Sequence, residues 1–412
     1  MALIANPLRP VQSPPADRRI VSAEDDAVFE DALDLVAKVF GGPKEYHRLK
    51  RGLDPTFRRS DTLVATVDGR PVSHVQLVPR EMRVGRAAVP LAVLACLATE
   101  ENERRKRHGA ALIDAAVEAM QARGHTLAML FTDLPGMFRA FGWVAFPIET
   151  YTARLGGEPA SAAIEGVRKV DPLRDLESIA AVHGHYGSSY AGPLIRTLGW
   201  WRGNLGWMPE QRDSFVVYEQ DGMISGYARA RFPTAVHGDG AGPYYSISDL
   251  AAVDGEGEAL LLAWLVGDAR RRGFAELGGQ APLAGRAVAM LAELGVEASV
   301  RIDERMMLRL LDFKGLLDAV MPEFNRLLRR AAVPDGRTTL RVRGQSASLV
   351  TRNGTLEIEP GETGSGIQLS EEGLWRLVLQ GRQPAAMQEP HRTLLRRLFP
   401  EREFAFWRAD TF

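Results

Sequence analysis

The chain has 412 residues, 45% of them hydrophobic and 25% charged, an ordinary composition for a globular protein with room for several domains of about 100–200 residues each. A formal net charge of -1 supplies no global field toward nucleic acid or an anionic membrane, and the single cysteine, Cys96, excludes an intrachain disulfide framework and a cysteine-rich metal site. The longest apolar stretches, such as 87–98, fall well short of a membrane span, so the expectation is a cytoplasmic protein with no membrane, nucleic-acid or metal partner.

Residues 1–17 are proline-rich, with no basic segment followed by an apolar run, and read as a flexible lead rather than a signal peptide. An internal duplication follows. Asp68-Gly69 and Asp221-Gly222 each sit between two apolar alternating runs, the strongest short-range hairpin signal. Leu97-Ala98-Thr99 and Leu250-Ala251-Ala252 end 30 residues beyond the respective hairpin glycines. A helix is predicted after each, over 109–122 and 258–271, with Gly124 and Gly273 just past its end, where helices commonly stop. A short strand and a second helix follow, ending at Phe141-Gly142-Trp143 in one copy and Leu294-Gly295-Val296 in the other.

The copies differ before the first of these helices. The first carries a basic loop containing Arg104, Arg105, Lys106, Arg107 and His108; the second has only residues 254–257, Asp-Gly-Glu-Gly. From about Arg301 the pattern changes to a strand over 306–311, a helix over 313–321, a meander over 338–342, 347–351 and 354–358, and helices over 370–380 and 390–399. Residues 404–412 are rich in aromatics, unlike a ragged tail.

The chemistry concentrates in the first copy. An apolar strand over 94–99 runs into the basic loop and then a helix opening on Gly109-Ala110-Ala111. A helix N-terminus offers unpaired N–H groups and partial positive charge, small residues admit a phosphate to the backbone, and the loop adds cations. By itself a basic run more often means a solvated turn. Here it resembles the GNAT acetyltransferase family, whose pyrophosphate loop Arg/Gln-x-x-Gly-x-Gly/Ala is matched by Lys106-Arg107-His108-Gly109-Ala110-Ala111. That resemblance implies acetyl-CoA as co-substrate, its pantetheine arm along Leu97, Ala98 and Thr99 and its pyrophosphate over Lys106 to Ala111. Thirty residues on, the family's Tyr-x-x-x-Gly-Phe is matched by Phe138-Arg139-Ala140-Phe141-Gly142-Trp143, with Asp133 just before it. The family's general acid is that tyrosine. Phe138 stands in its place and cannot donate a proton, so the role passes to water or to a neighbour such as Asp133.

The whole layout resembles the Eis (enhanced intracellular survival) family. It implies an α+β chain of two tandem GNAT-like mixed-sheet domains, catalytic over 18–152 and degenerate over 153–300, followed by a sterol-carrier-protein-like α/β domain over 301–412. It further implies acetyl transfer to an amine of a small molecule such as an aminoglycoside or polyamine, a hexameric homo-oligomer, and a C-terminal carboxylate, here that of Phe412, as general base. A plain hydrophobic anchor is the competing role for Phe412. Two rival functions stand beside transfer: non-catalytic binding of acyl-CoA or a small ligand, which the Phe138 substitution motivates, and a repurposed biosynthetic acyltransferase. The acidic residue that aminoglycoside-acetylating members carry after the first helix is replaced by Phe40-Gly41-Gly42-Pro43, with Asp25, Asp26, Glu30, Asp31 and Glu45 nearby.

Among the remaining polar and aromatic residues, His183 and His185 lack a third ligand at metal spacing and read as structural or solvent-facing. His74 reads as packing or pocket-lining. Trp200, Trp201 and Trp207 read as core rather than cleft wall, and Cys96 as a small buried hydrophobe in a strand.

Overall fold

The computed structural model describes residues 17–156, 164–207, 214–231, 244–280, 283–329, 333–361, 366–384, 389 and 391–410. The proline-rich lead up to residue 16 and Phe412 lie outside them. The chain begins with β1 (Arg19–Ser22), α1 (Asp26–Phe40), α2 (Lys44–Gly52), β2 (Thr62–Val67), β3 (Arg70–Val84), β4 (Ala87–Thr99), α3 (His108–Ala122), β5 (Leu127–Phe131), α4 (Pro135–Arg139), β6 (Val144–Ala145) and β7 (Ile148–Arg154). It continues with β8 (Val167–Lys169), α5 (Leu176–Gly187), β9 (Ala191–Leu194), α6 (Leu198–Trp207), β10 (Phe215–Gln220), β11 (Met223–Arg231), β12 (Tyr245–Ala252), α7 (Gly255–Arg271), β13 (Glu276–Gly279), α8 (Ala284–Glu293) and β14 (Glu297–Asp303). The last part holds β15 (Met306–Leu310), α9 (Phe313–Leu328), β16 (Gly336–Val342), β17 (Gln345–Arg352), β18 (Thr355–Pro360), β19 (Ile367–Leu369), α10 (Glu371–Gln380) and α11 (His391–Leu398).

The two Asp-Gly hairpins form for the reason the sequence gives. Asp68 and Gly69 have φ of 51° and 77°, and Asp221 and Gly222 have φ of 52° and 75°. Two consecutive left-handed residues make the turn whose twist matches paired strands, and aspartate followed by glycine adopts it at least cost. Each hairpin then grows into a mixed sheet. The first has the order β1-β2-β3-β4-β5-β15-β6, with β9 on the far end of β3; the second has the order β8-β10-β11-β12-β13-β7-β14. In both, the fourth and fifth strands are parallel and the fifth and sixth antiparallel, so the second sheet repeats the first position for position.

The sixth strands are exchanged. Strand β7, which directly follows β6, joins the second sheet between β13 and β14, while β15, which directly follows β14, joins the first between β5 and β6. A reciprocal exchange of this kind fastens each half to the other through ladder hydrogen bonds as well as packing.

On one face of the first sheet, α3 and α4 cover Leu77, Leu94 and Leu130. On the other, α1 and α2 lie toward one end, and α9 with the small sheet β18-β17-β16-β19 closes the other end through a single apolar cluster running from Leu91 and Met129 to Phe313, Leu349 and Trp375. Helix α9 runs seven residues beyond the predicted end at 321, through Pro322. The missing N–H is tolerated because the turns around it remain anchored. Val320 and Phe324 are buried, and Glu323 is held by Arg326 and Arg402.

Candidate active site

The site is built where β4 parts from β5. Their parallel pairing runs only from Leu91 opposite Leu127 to Val93 opposite Met129. Beyond it β4 continues to Thr99 with no partner on that side. Its register with β3 also breaks there: His74 pairs with Ala98 but Gln76 with Ala95. The extra residue makes a bulge, and Cys96 takes a left-handed φ of 52°. Cys96 is half-buried rather than a core strand residue, because the bulge rolls it out of the alternation.

His74 holds the bulge. Its Nδ1 lies 2.9 Å from the Cys96 carbonyl. A carbonyl only accepts, so Nδ1 carries the proton and Nε2 the lone pair. That Nε2 is buried without a hydrogen-bond partner. Burial, with the nearby Arg51 charge adding to it, lowers the His74 pKa to about 3, so the ring is neutral at pH 7.

Helix α3 starts immediately beyond. Its N-cap residue, Arg107, has φ 61° and makes no capping bond with its side chain. The first helical bond runs from Ala111 N–H to the Arg107 carbonyl, leaving the N–H groups of His108, Gly109 and Ala110 without intrahelical partners. A side chain at Gly109 would meet Thr99 Oγ1 and Leu97 Cδ1 at 3.8 and 4.0 Å; Leu97 and Thr99 therefore lie beside the helix start. Thr99 is fixed by Ser73, whose Oγ lies 2.7 Å from Thr99 Oγ1 and donates to the Ala98 carbonyl at 2.7 Å. The strand end, the bare helix end and the basic loop thus share one place.

Within the loop the cations divide. Glu103 accepts from Lys106 Nζ at 2.9 Å and lies 3.1 Å from His108 Nε2. Lys106, the residue matched to the first motif position, is therefore partly neutralised. Arg105 and Arg107 are exposed and bond to no described residue through their side chains, and both have left-handed backbones. The second copy reverses this arrangement: Asp254 caps α7, accepting from Gly257 N–H at 2.8 Å. A helix end already holding a carboxylate has no room for a phosphate.

Phe138 is 5% exposed and packs edge-on against Trp143, ring centroids 6.2 Å apart. It is a core residue on the α3 side. Asp133 is exposed just past the end of β5. Phe412 lies outside the described residues; the segment up to Asp410 is anchored. Ala405 N–H donates to the Ala191 carbonyl at 2.8 Å, Trp407 Nε1 donates to the Leu250 carbonyl at 3.1 Å, and Asp410 is paired with Arg196. Asp410 lies within the field of Arg80, whose charge also acts on Lys50 of α2.

A family model described as an acetyltransferase (GNAT) domain matches residues 20–146. The structure as a whole superposes on a GCN5-related N-acetyltransferase from Anabaena variabilis (TM-score 0.70, 15% identity, 96% of this chain and 100% of that one). It also superposes on Eis1 from Mycobacterium abscessus (TM-score 0.63, 17% identity, 96% and 100%). Residues 20–146 thus match a GNAT acetyltransferase domain, and the whole chain has the fold of these solved structures, Eis1 among them. Its GNAT domain includes every described residue assigned above to cofactor binding. An uncharacterised N-acetyltransferase of Streptomyces coelicolor is 28% identical over 192 residues, which is 44% of this chain and 46% of that relative; the match thus spans about half of that protein.

Among the described residues, no group of three or more His, Cys, Asp or Glu side chains is placed to hold a metal, and no helix is long and apolar enough to cross a membrane. His183 is a buried strut between the Tyr227 hydroxyl and the Leu194 carbonyl, both at 2.9 Å. Trp200 and Trp201 are buried in the second core; the Trp207 side chain lies outside the described residues. Most of the acidic residues around the first helix are engaged: Glu30 and Glu45 bond Arg48, Asp26 bonds Arg59, and Asp25 caps α1, while Asp31 is exposed. Sequence reasoning passed over Lys50 and Arg51 at the end of α2, although two adjacent cations closing a helix that packs near the bulge were visible in the sequence.

Proposed function

We propose that this protein transfers the acetyl group of acetyl-CoA to an amine of a small molecule. The observation that carries the reading is the uncapped N-terminus of α3 beside the unpaired end of β4. The pantetheine arm would complete the ladder along Leu97, Ala98 and Thr99, and the pyrophosphate would take the N–H groups of His108, Gly109 and Ala110 with Arg105 and Arg107 as counter-charges. The acceptor amine, after losing a proton, attacks the thioester carbonyl. The C–N bond forms, the C–S bond breaks and coenzyme A leaves as thiolate.

The Phe412 carboxylate is the proposed base. Asp410 is anchored near Arg80, and two further residues reach about 7 Å, which supports that assignment. With phenylalanine at 138 the leaving thiolate takes its proton from water or from a group such as Asp133. A cytoplasmic location, a homo-oligomer of hexameric order and a sterol-carrier-like role for the unit around β16 to β19 belong to the same reading.

The test is thiol release from acetyl-CoA with a panel of amines, comparing the full chain with one lacking residues 411 and 412. Turnover in the first, with coenzyme A binding but no turnover in the second, is the expected result. A second reading, ligand binding without transfer, is favoured by the buried Phe138 ring. It gains if neither the full chain nor Phe138→Tyr acetylates any amine.

A further inference from the structure

The acceptor side of the β4 bulge is lined by cations. Arg51, on α2, is 4% exposed. Its Nη1 donates to the His47 carbonyl at 3.0 Å, which is an ordinary helix contact. Its Nε and Nη2 are buried and have no hydrogen-bond partner among the described residues. These two atoms form one edge of the guanidinium, the side-on fork that grips a carboxylate with two parallel bonds. No carboxylate among the described residues pairs with it. Asp54, three residues further along the chain, is already held by Arg80, with Nη2 to Oδ2 at 2.5 Å. The guanidinium instead lies against the Cys96 thiol, with the Lys50 ammonium close enough to repel it and the neutral His74 ring within reach of its charge.

The duplicated half shows what an arginine in this place takes. Cys96 and Asp249 are equivalent, each 27 residues beyond the hairpin glycine, on β4 and β12. Arg196, like Arg51, comes from the segment between the first and second strands of its sheet. It pairs with Asp249 itself and, through Nε and Nη2, with Asp410 at 2.9 and 2.8 Å. In the second half the same edge of the guanidinium is therefore filled by a carboxylate. In the first half the equivalent strand residue is a cysteine, and no described residue fills the edge. Burying an unpaired guanidinium is costly, and a buried fork that the fold itself leaves unsatisfied calls for a partner from outside the chain.

We infer that Arg51 is an oxyanion subsite of the acceptor pocket, and that the acceptor is an amine carrying a carboxylate or similar bidentate oxyanion rather than a polycation. The inference rests on the acetyl-transfer reading for the word acceptor, but the subsite stands or falls separately. Bound there, the anion offsets the Arg51 charge beside His74, whose Nε2 lone pair is left to take a hydrogen bond from the acceptor.

The experiment has two arms on the full-length protein. In the first, amine substrates are compared in matched pairs: amino acids of increasing chain length against their amides, aminoalkyl phosphates against simple alkylamines, with spermidine as the polycation. The anionic member of each pair is expected to be preferred, and amino acid against aminophosphate identifies the oxyanion. Arg51→Met is expected to raise its KM by about 10- to 100-fold, the value of a charge-assisted fork, leaving the KM for acetyl-CoA unchanged; Arg51→Lys is intermediate. In the second arm, thermal unfolding is followed with acetate, phosphate or chloride at equal ionic strength. The wild type should gain about 2 °C with the oxyanion over chloride. Arg51→Met should start higher than the wild type and show no anion response.

If no amine is acetylated while the anion response persists and depends on Arg51, the transfer reading fails and the subsite stands. Preference for spermidine, unaltered in Arg51→Met, overturns the inference. So does a wild type indifferent to oxyanions with an Arg51→Met variant that is merely destabilised. An anion response that arises only when residues 411 and 412 are removed also overturns it, because the chain's own carboxylate is then the occupant.

Discussion

The anchor of the C-terminal segment makes a quantitative prediction. Arg196 is fully buried, and its guanidinium donates to Asp410 through Nε and Nη2 and to Asp249 through Nη1. It also lies over the rings of Trp200 and Trp201, 4.4 and 4.9 Å from their centroids. One cation thus serves two carboxylates. Arg196→Met strands both in an apolar interior, and breaking a buried pair in this way costs about 3–5 kcal/mol. Asp410→Asn removes one carboxylate, leaves Arg196 with Asp249 and keeps an acceptor oxygen, so its cost is about 1 kcal/mol or less. Burial pushes the Asp410 pKa above its ordinary value, against the pull of Arg196. The sign follows: the stabilising protonated form is fully present below the unfolded pKa and its contribution is lost as pH rises through the folded pKa. Asp410→Asn should lack that acid-side gain. Urea unfolding followed by tryptophan fluorescence at two pH values measures both effects. The two variants must separate by about 2 kcal/mol or more. Equal losses in Arg196→Met and Asp410→Asn would refute the picture of one cation shared by two carboxylates.

Three further outcomes are expected. Arg105→Glu with Arg107→Glu should weaken coenzyme A binding, measured calorimetrically, by about 10-fold or more, because two exposed counter-charges at a helix N-terminus are reversed. Asp254→Ala should cost about 1 kcal/mol of stability through loss of the cap on α7 and leave coenzyme A affinity unchanged. His74, neutral and held near pKa 3 in the fold, binds fewer protons folded than unfolded between about pH 3 and 6.5, so stability rises with pH across that window and is lost as pH falls; from pH 7 to 5 the loss is about 2 kcal/mol. His74→Gln should remove that increment, with unfolding at the two pH values as the measure and His47 and Arg51 unchanged beside it.

Much of the fold was legible because the signals were local. Asp-Gly between alternating runs fixed both hairpins, and the equal spacing from Gly69 to Thr99 and from Gly222 to Ala252 exposed the repeat. Partner choice was not legible. Strands β7 and β15 have ordinary apolar patterns, and nothing in a strand's own sequence says which sheet will accept it; their exchange is decided by tertiary pairing. The proposed pyrophosphate end of the site was a local signal, because small residues and cations follow one another along the chain. The acceptor end could not, since Arg51, His74 and Cys96 come from three elements and meet only through the bulge. The acidic residues around the first helix were conspicuous in the sequence but most turn to surface arginines and a cap, while the cations at the end of α2 turn inward.

The two halves therefore divide one architecture into opposite electrostatic solutions. At the helix after the fourth strand, Arg107 leaves the N–H groups of α3 open while Asp254 closes α7. At the equivalent strand position, Cys96 leaves Arg51 unfilled while Asp249 fills Arg196. In each comparison the first half lacks an anion that the second supplies from its own sequence. Carboxylates built into the chain satisfy the second half permanently, and there the C-terminal segment docks through Asp410 and Trp407. Two anionic groups from outside would satisfy the first: a phosphate at α3 and an oxyanion at α2, with the bulge of β4 between them. A duplication that keeps the same positions and exchanges internal anions for external ones separates a binding half from an anchoring half without changing the fold.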